Sequence, residues 1–494
     1  MVRGRFAGPI FALAAALAIT CPTTAQVDVR SQEQLPQPTA IPAAPARPQS
    51  STVESGISQA GGPLPINLPT ALELANVRPI DVAVASERIR LAAAQLDQAR
   101  VLWLPTVYLG VDYFHHDGQI QDVGGTVFGT SKGSFLLGAG PSAVFALSDA
   151  IFAPLAARQE LRARQAALQT ARNDSLLAVA EAYFNVQQAR GDLAAADNIT
   201  RRSEDLVRRT EALAPGLVPE LEVFRARTQA ARSRQAIETA RERGRVASAD
   251  LLRILRLEPS SVVEPLEPPH LRITLVPLDQ PVDELIRVGL TNRPELATQQ
   301  ALVQATLERL RQEKLRPLVP SVLLRGASTP VTGTLSGGYF GGGLNDNLGN
   351  FGARSDLDLQ VLWEFQNLGF GNRARVEQRR ADKELAVLEL FRTQDRIAAE
   401  VAQGYAQAQS AAARVGDAEA EVRDAIESAD KNLQGLGQTR AAGNVLILVV
   451  RPQEVVAAIQ ALGQAYNDYY GAVADFDRAQ FRLYHALGHP TLWR

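Results

Sequence analysis

The sequence predicts a mainly α-helical chain made of two copies of one unit, in which a β-hairpin interrupts a run of helices before two very long ones. Three observations carry this expectation: an internal repeat, apolar positions spaced every 3.5 residues along Ala-rich stretches, and four segments that alternate at period two.

The repeat is read by sliding the chain along itself. Arg78-Pro79 recurs as Arg293-Pro294, and Leu104-Pro105-Thr106-Val107 recurs as Val319-Pro320-Ser321-Val322, both at an offset of 215 residues. Further on, Ala182-Tyr183 corresponds to Gly404-Tyr405, and Glu222-Val223-Phe224-Arg225 to Leu448-Val449-Val450-Arg451. The units cover residues 67–265 and 280–490, joined by a linker at 266–279. Two copies are too few for a solenoid, so the repeat indicates duplication within one architecture.

Helices are expected at 71–100, 149–212 and 218–256 in the first unit, and at 281–316, 371–440 and 446–487 in the second. A helix of about 60 to 70 residues is on the order of 100 Å long, far beyond what a compact core covers, so these helices must pack side by side. Val401, Tyr405, Ala408, Ala412, Val415, Glu419, Val422, Ile426, Ala429, Leu433 and Leu436 follow alternating steps of four and three, with Glu419 the one polar member. Val455, Ile459, Leu462, Tyr466, Tyr469, Val473, Phe476, Gln480, Leu483 and Leu487 repeat the pattern. That spacing imposes a left-handed coiled coil.

Strands are expected at 103–114, 134–147, 318–329 and 353–366. In the last of these, Leu357, Leu359, Val361, Trp363 and Phe365 alternate with Asp356, Asp358, Gln360, Glu364 and Gln366. In the first, Trp103, Val107, Leu109, Val111 and Tyr113 alternate with Thr106, Gly110 and Asp112. Apolar residues outward and polar residues inward is the pattern of a lipid-embedded barrel, with Trp103, Tyr113, Trp363 and Phe365 as its aromatic girdle. Membrane barrels need about eight strands to close, so four imply an oligomer. The stretches 115–133 and 333–352 are then hairpin loops, expected to face the cell exterior.

Arg3 and Arg5, an apolar run from Phe11 to Ile19, and Thr23-Thr24-Ala25 make residues 1–25 a secretory signal with cleavage after Ala25. The alternative, lipidation of Cys21, would want Leu and a small residue where Ala18 and Thr20 stand. Residues 26–66, with Pro36, Pro38, Pro42, Pro45 and Pro48, bury too little to fold and are expected to form a flexible tail. With 51 basic and 53 acidic residues among 494, no global field attracts nucleic acid. The Gly-rich stretches join strands instead of opening a helix, which argues against a nucleotide cradle. His115 and His116 lack partners at metal-ligand spacing, and no nucleophile, base and orienting group can be assembled. No catalytic residue, metal or cofactor is therefore expected.

The duplicated helix, strand, strand, helix, helix order resembles the TolC family of outer-membrane efflux and secretion channels. The likeness rests on Ala71-Leu72, Arg78-Pro79 and Leu104-Pro105, on Arg293-Pro294-Glu295-Leu296 and Val319-Pro320, and covers about residues 67–490. It implies a homotrimer whose chains each give four strands to one barrel in outer-membrane lipid, continued by a periplasmic helical tunnel. It further implies a passive exit duct, not an enzyme, serving tripartite efflux or type I secretion with a periplasmic adaptor and an inner-membrane pump. The tips around Gly216, Leu217 and Val218 and around Gly443, Val445 and Leu446 would dock the adaptor, although Pro215 and Pro219 depart from the family pattern. Asp417, Glu419, Glu421 and Asp424 would line an anionic constriction on that resemblance, although a solvated charged face accounts for them better. The competing expectation is a periplasmic coiled-coil structural protein without a pore.

Overall fold

The computed structural model describes residues 63–488 except 105, 215, 338–350 and 443–444. The expectations for the signal and Cys21, for most of the 26–66 tail, for Gly443, and for the side chains of Tyr113, Val445 and Leu446 lie outside what is described.

The described residues begin with strand β1 (Leu64–Ile66) and helices α1 (Leu68–Val77) and α2 (Ile80–Arg100), then the long strands β2 (Thr106–Gln121) and β3 (Val127–Ala146) and helices α3 (Leu147–Leu213) and α4 (Glu220–Leu255). After strand β4 (Val263–Pro265) come α5 (Val282–Asn292), α6 (Pro294–Leu315), β5 (Ser321–Gly337), β6 (Phe351–Leu362) and α7 (Phe370–Gly435). A short hairpin, β7 (Thr439–Ala442) and β8 (Val445–Leu448), precedes α8 (Pro452–Ala486).

The single helices expected at 71–100 and 281–316 are each two helices. Proline has no N–H to give the preceding turn and its ring disfavours helical geometry just before it. Arg293, ahead of Pro294, is accordingly extended at φ −70° and ψ 123° and separates α5 from α6; at the first break Arg78 stays helical and it is Pro79 itself, at φ −61° and ψ 140°, that is extended and caps α2. The tail also ends earlier than expected: Leu64–Ile66 pairs in parallel with Val263–Pro265, because Ile66 and Val263 bury together against α3 and α4.

The coiled-coil seam on α8 follows the expected register. Val455, Ile459, Leu462, Val473, Phe476, Gln480, Leu483 and Leu487 are buried. On α7, Val401, Ala408, Val415, Ala429 and Leu433 are buried as well, with Leu436 just past its end, but in the last third of the helix Ala418 takes the inward place expected of Glu419. Each large apolar side chain fully buried contributes roughly 1.5–3 kcal/mol, so it is the length of the seam that holds such extended helices together. Three clusters mark it: one where α1, α3 and α4 meet, one joining α5, α7 and α8, and one near the tips, with Ile199, Leu206, Leu433, Val455 and Ile459.

The packing order is simple. Beside the strands, α2, α3, α6 and α7 are neighbours in that sequence; towards the tips the sequence is α4, α3, α8 and α7. Either way the helices make one layer, ending at α7 on one side and at α2 or α4 on the other.

Candidate channel elements and docking tips

β2, β3, β5 and β6 form one antiparallel sheet in that order. The ladder of β2 and β3 runs unbroken from Thr106 opposite Ser142 to Gln121 opposite Val127. Much of the expected loop 115–133 is therefore strand, and the turn shrinks to residues 122–126. There Asp122 Oδ1 accepts the Thr126 N–H at 2.8 Å and Gly125 adopts φ 87°, a left-handed value open to glycine at no steric cost. The longer strand leaves Tyr113 in mid-ladder opposite Phe135, not at a strand end where a girdle residue belongs. Trp103, Trp363 and Phe365 sit just outside the strands, all exposed, at the end of the sheet that meets the helices. Leu359 and Val361, on the β6 alternation, are exposed too.

Among the described residues, the far edges of β2 and β6 pair with nothing. The helical layer is unfinished at both sides in the same way. Ile80, Val84 and Leu91 of α2 are exposed, as are Leu385, Leu388 and Phe391 of α7. Apolar side chains in rows on two opposite edges of a layer are costly unless something covers them.

At the first tip, Gly216 reverses the chain at φ 110° and Pro219 caps α4. The turn sends neighbouring side chains to opposite sides. Leu217 stays exposed, but Val218 is buried at 6% exposure and is not the surface anchor the sequence suggested. Sequence reasoning missed Leu221 and Phe224, both more than half exposed. Leu221 and Phe224 stand three apart on one face of α4, while Leu217 lies in the turn that precedes the helix.

The second tip is not the expected helix reversal at 441–445. Helix α7 ends at Gly435, Gly437 takes the left-handed conformation at φ 94°, and the chain goes into the β7–β8 hairpin, with Thr439 opposite Leu448 and Ala442 opposite Val445. The run Val445-Leu446-Ile447-Leu448-Val449-Val450 is rich in β-branched residues, which suit strands and lose side-chain freedom in helices. The two tips touch: Arg209 donates to the Leu433 carbonyl at 3.0 Å, Arg202 pairs with Asp430, and Arg225 reaches Gln453 at 3.3 Å.

Of the proposed constriction acids, Asp417, Glu421 and Asp424 are exposed in the last third of α7. Glu419 is turned aside and pairs with Arg272 of the linker at 3.3 Å. Among the described residues no group of acids, histidines or cysteines could hold a metal ion, and no helix is long and apolar enough to cross a membrane.

Residues 71–255 match the family described as outer membrane efflux protein. No curated protein sequence matches the chain. Among solved structures, the Campylobacter jejuni CmeC outer membrane channel superposes with a TM-score of 0.69 at 15% identity, covering 86% of each chain. The outer membrane protein VceC of Vibrio cholerae gives 0.67 at 18% identity, over 85% of this chain and 96% of that one. The open state of the MtrE outer membrane channel of Neisseria gonorrhoeae gives 0.67 at 16%, over 85% and 89%. At such identities the likeness is one of fold.

Proposed function

We propose that this chain, an outer membrane efflux protein by its family match over residues 71–255, is one protomer of a trimeric outer-membrane exit duct that a periplasmic adaptor and an inner-membrane pump drive. On either side of the linker two short helices, two long strands and two long helices follow in the same order, β1, β4 and the β7–β8 hairpin aside, which supports reading the chain as two copies of one unit. The observation that carries the proposal is the pair of unfinished edges. A four-stranded sheet with free β2 and β6 edges cannot close a barrel alone, yet in lipid every backbone N–H and C=O must be paired. Edge-to-edge joining of three copies removes the free edges. The same rotation brings α2 of one protomer beside α7 of the next, covering Ile80, Val84 and Leu91 with Leu385, Leu388 and Phe391. Strands of 12 to 20 residues exceed the roughly 9–11 that a tilted strand needs to cross the hydrocarbon.

The adaptor docks on the exposed row Leu217, Leu221 and Phe224 of the first tip, which a partner helix would cover in the manner of a coiled coil. Asp417, Glu421 and Asp424, brought round an axis in three copies, form the cation-favouring narrowing. The duct itself is passive, and its energy comes from the pump.

Two measurements test this. Outer-membrane fractions should hold a detergent-soluble trimer that heating converts to monomer; recovery as a soluble periplasmic protein would favour a coiled-coil structural role instead. Leu217→Asp with Leu221→Asp should abolish export while leaving the trimer intact. Normal export from that variant would remove the tip from the docking surface.

A further inference from the structure

The segment from Leu266 to Gln280, which joins the two halves of the chain, has no regular structure, yet it is fastened along its length. At its start Glu267 accepts the Leu68 N–H at 2.9 Å and bonds the Tyr183 hydroxyl, while its carbonyl takes Gln187 at 3.2 Å and Arg190 at 3.0 Å. At its end the Leu278 carbonyl accepts from the Tyr405 hydroxyl at 3.0 Å. Between them three consecutive fastenings go to α8: the Ile273 N–H donates to Asp477 Oδ1 at 2.8 Å, and the Leu275 and Val276 N–H groups donate to Gln480 Oε1 at 3.1 and 2.9 Å. Asp477 and Gln480 are 1% and 0% exposed, so water cannot replace what the strap supplies.

A buried carboxylate normally sits on a cation. Asp477 does not. The charged groups around it are already engaged: Arg272 on the strap pairs with Glu419 of α7, Arg478 of α8 pairs with Asp475 and reaches the neutral Asn185 and Gln188 of α3, and Arg414 of α7 pairs with that same Asp475. The bond Asp477 makes is to a neutral amide. Such a site favours the uncharged acid, in which the Ile273 N–H can still be accepted without a desolvated charge.

We infer that Asp477 is a proton-operated clasp: in its protonated form it holds residues 272–278 against α8, and on ionisation it loosens that grip. Burial is the main force on this carboxyl and pushes it from its usual 3.8 up to about 7, against the opposing pull of the Ile273 N–H and of Arg478 and Arg272. The sign follows from linkage. The folded group binds its proton more tightly than the released one, so the extra hold is complete below about pH 4, is lost as pH rises, and is gone once pH passes about 7. Over that window the opening equilibrium of the strap rises by up to about tenfold per pH unit and then levels off.

Hydrogen exchange on the detergent-solubilised full-length protein, corrected for the intrinsic pH dependence of exchange, reads this directly. From pH 5 to pH 7 the amides of residues 273–276 should lose protection by roughly fiftyfold relative to residues 263–267, with only about a further twofold loss by pH 8. Asp477→Asn, a neutral group of the same shape, should make protection flat across the range. Should the Asn variant fail to accumulate, Asp477→Ser supplies the neutral comparison. Unchanged protection of 273–276 in the wild-type chain, or the same pH dependence in the neutral variant, overturns the clasp.

Discussion

Replacing Arg293 by Met should cost far more than replacing Arg78, although both belong to the repeated Arg-Pro element. Arg293 has a side chain only 4% exposed, with Nε 2.8 Å from Glu295, one Nη 2.9 Å from Glu400 and the other 3.2 Å from the carbonyl of His485. It thus ties the start of α6 to α7 and α8. His485 in turn meets Asp174 of α3 at 2.9 Å. Removing the guanidinium leaves Glu295, with a side chain only 12% exposed, without its cation. Breaking a buried pair in this way costs about 3–5 kcal/mol, and because Glu400 is 37% exposed and can regain water, the lower figure of about 3 kcal/mol applies. Arg78 is exposed and, among the described residues, makes no ion pair, so its replacement should stay within about 0.5 kcal/mol. Urea unfolding followed by far-UV circular dichroism, with equal slopes for both variants, measures the difference. Adding Glu295→Gln to Arg293→Met should return part of the loss, since it removes the charge left without its cation. Equal midpoints for the two arginine variants would refute the reasoning.

Gly191→Ala should destabilise the helical layer by about 1–3 kcal/mol, because the new methyl would lie 2.5 Å from the Tyr470 ring, whereas Gly416→Ala, with nothing within 4 Å, should stabilise it by up to about 1 kcal/mol; thermal unfolding of both variants reads the opposite signs. An epitope inserted after Gly125, in the turn between β2 and β3, should be labelled by antibody on intact cells, and labelling only after the outer membrane is opened would reverse the assigned topology. Phe224→Asp alone should reduce export without altering the amount of trimer, as Phe224 is exposed on α4; loss of the trimer would move Phe224 from docking to assembly.

Periodicity made the long helices legible, because an apolar row repeated over many turns has no other economical explanation. The seam through Val455, Ile459, Leu462 and Val473 is buried as its spacing requires. Gln480 was legible as a polar member of that row, but its purpose was not, since the strap amides it binds come from a segment without any pattern of its own. Asp477 gave no signal at all: nothing in a helical sequence marks which carboxylate a distant loop will cover. The helix breaks at Pro79 and Pro294 were written in the chain and were outweighed by the apolar pattern on either side. The hairpin at 439–448 differs from the expected helix tip because its β-branched run favours strand over helix. Glu419 shows the limit of heptad counting, because a shift of one residue to Ala418 turns an apparent buried acid into a surface ion pair. The extent of the strands was hidden by glycines, which look like loop yet extend the β2–β3 ladder to Gln121 opposite Val127.

The central claim, that the free edges of β2 and β6 meet between copies to close a lipid-spanning duct, is tested most directly by electron cryomicroscopy of the full-length protein in lipid nanodiscs. The account predicts threefold symmetry, with three four-stranded sheets joined β6 to β2 in one barrel within the lipid and the helical layer closed into a tunnel beneath it. A sheet lying outside the lipid, or an assembly in which those edges remain unpaired, would contradict it.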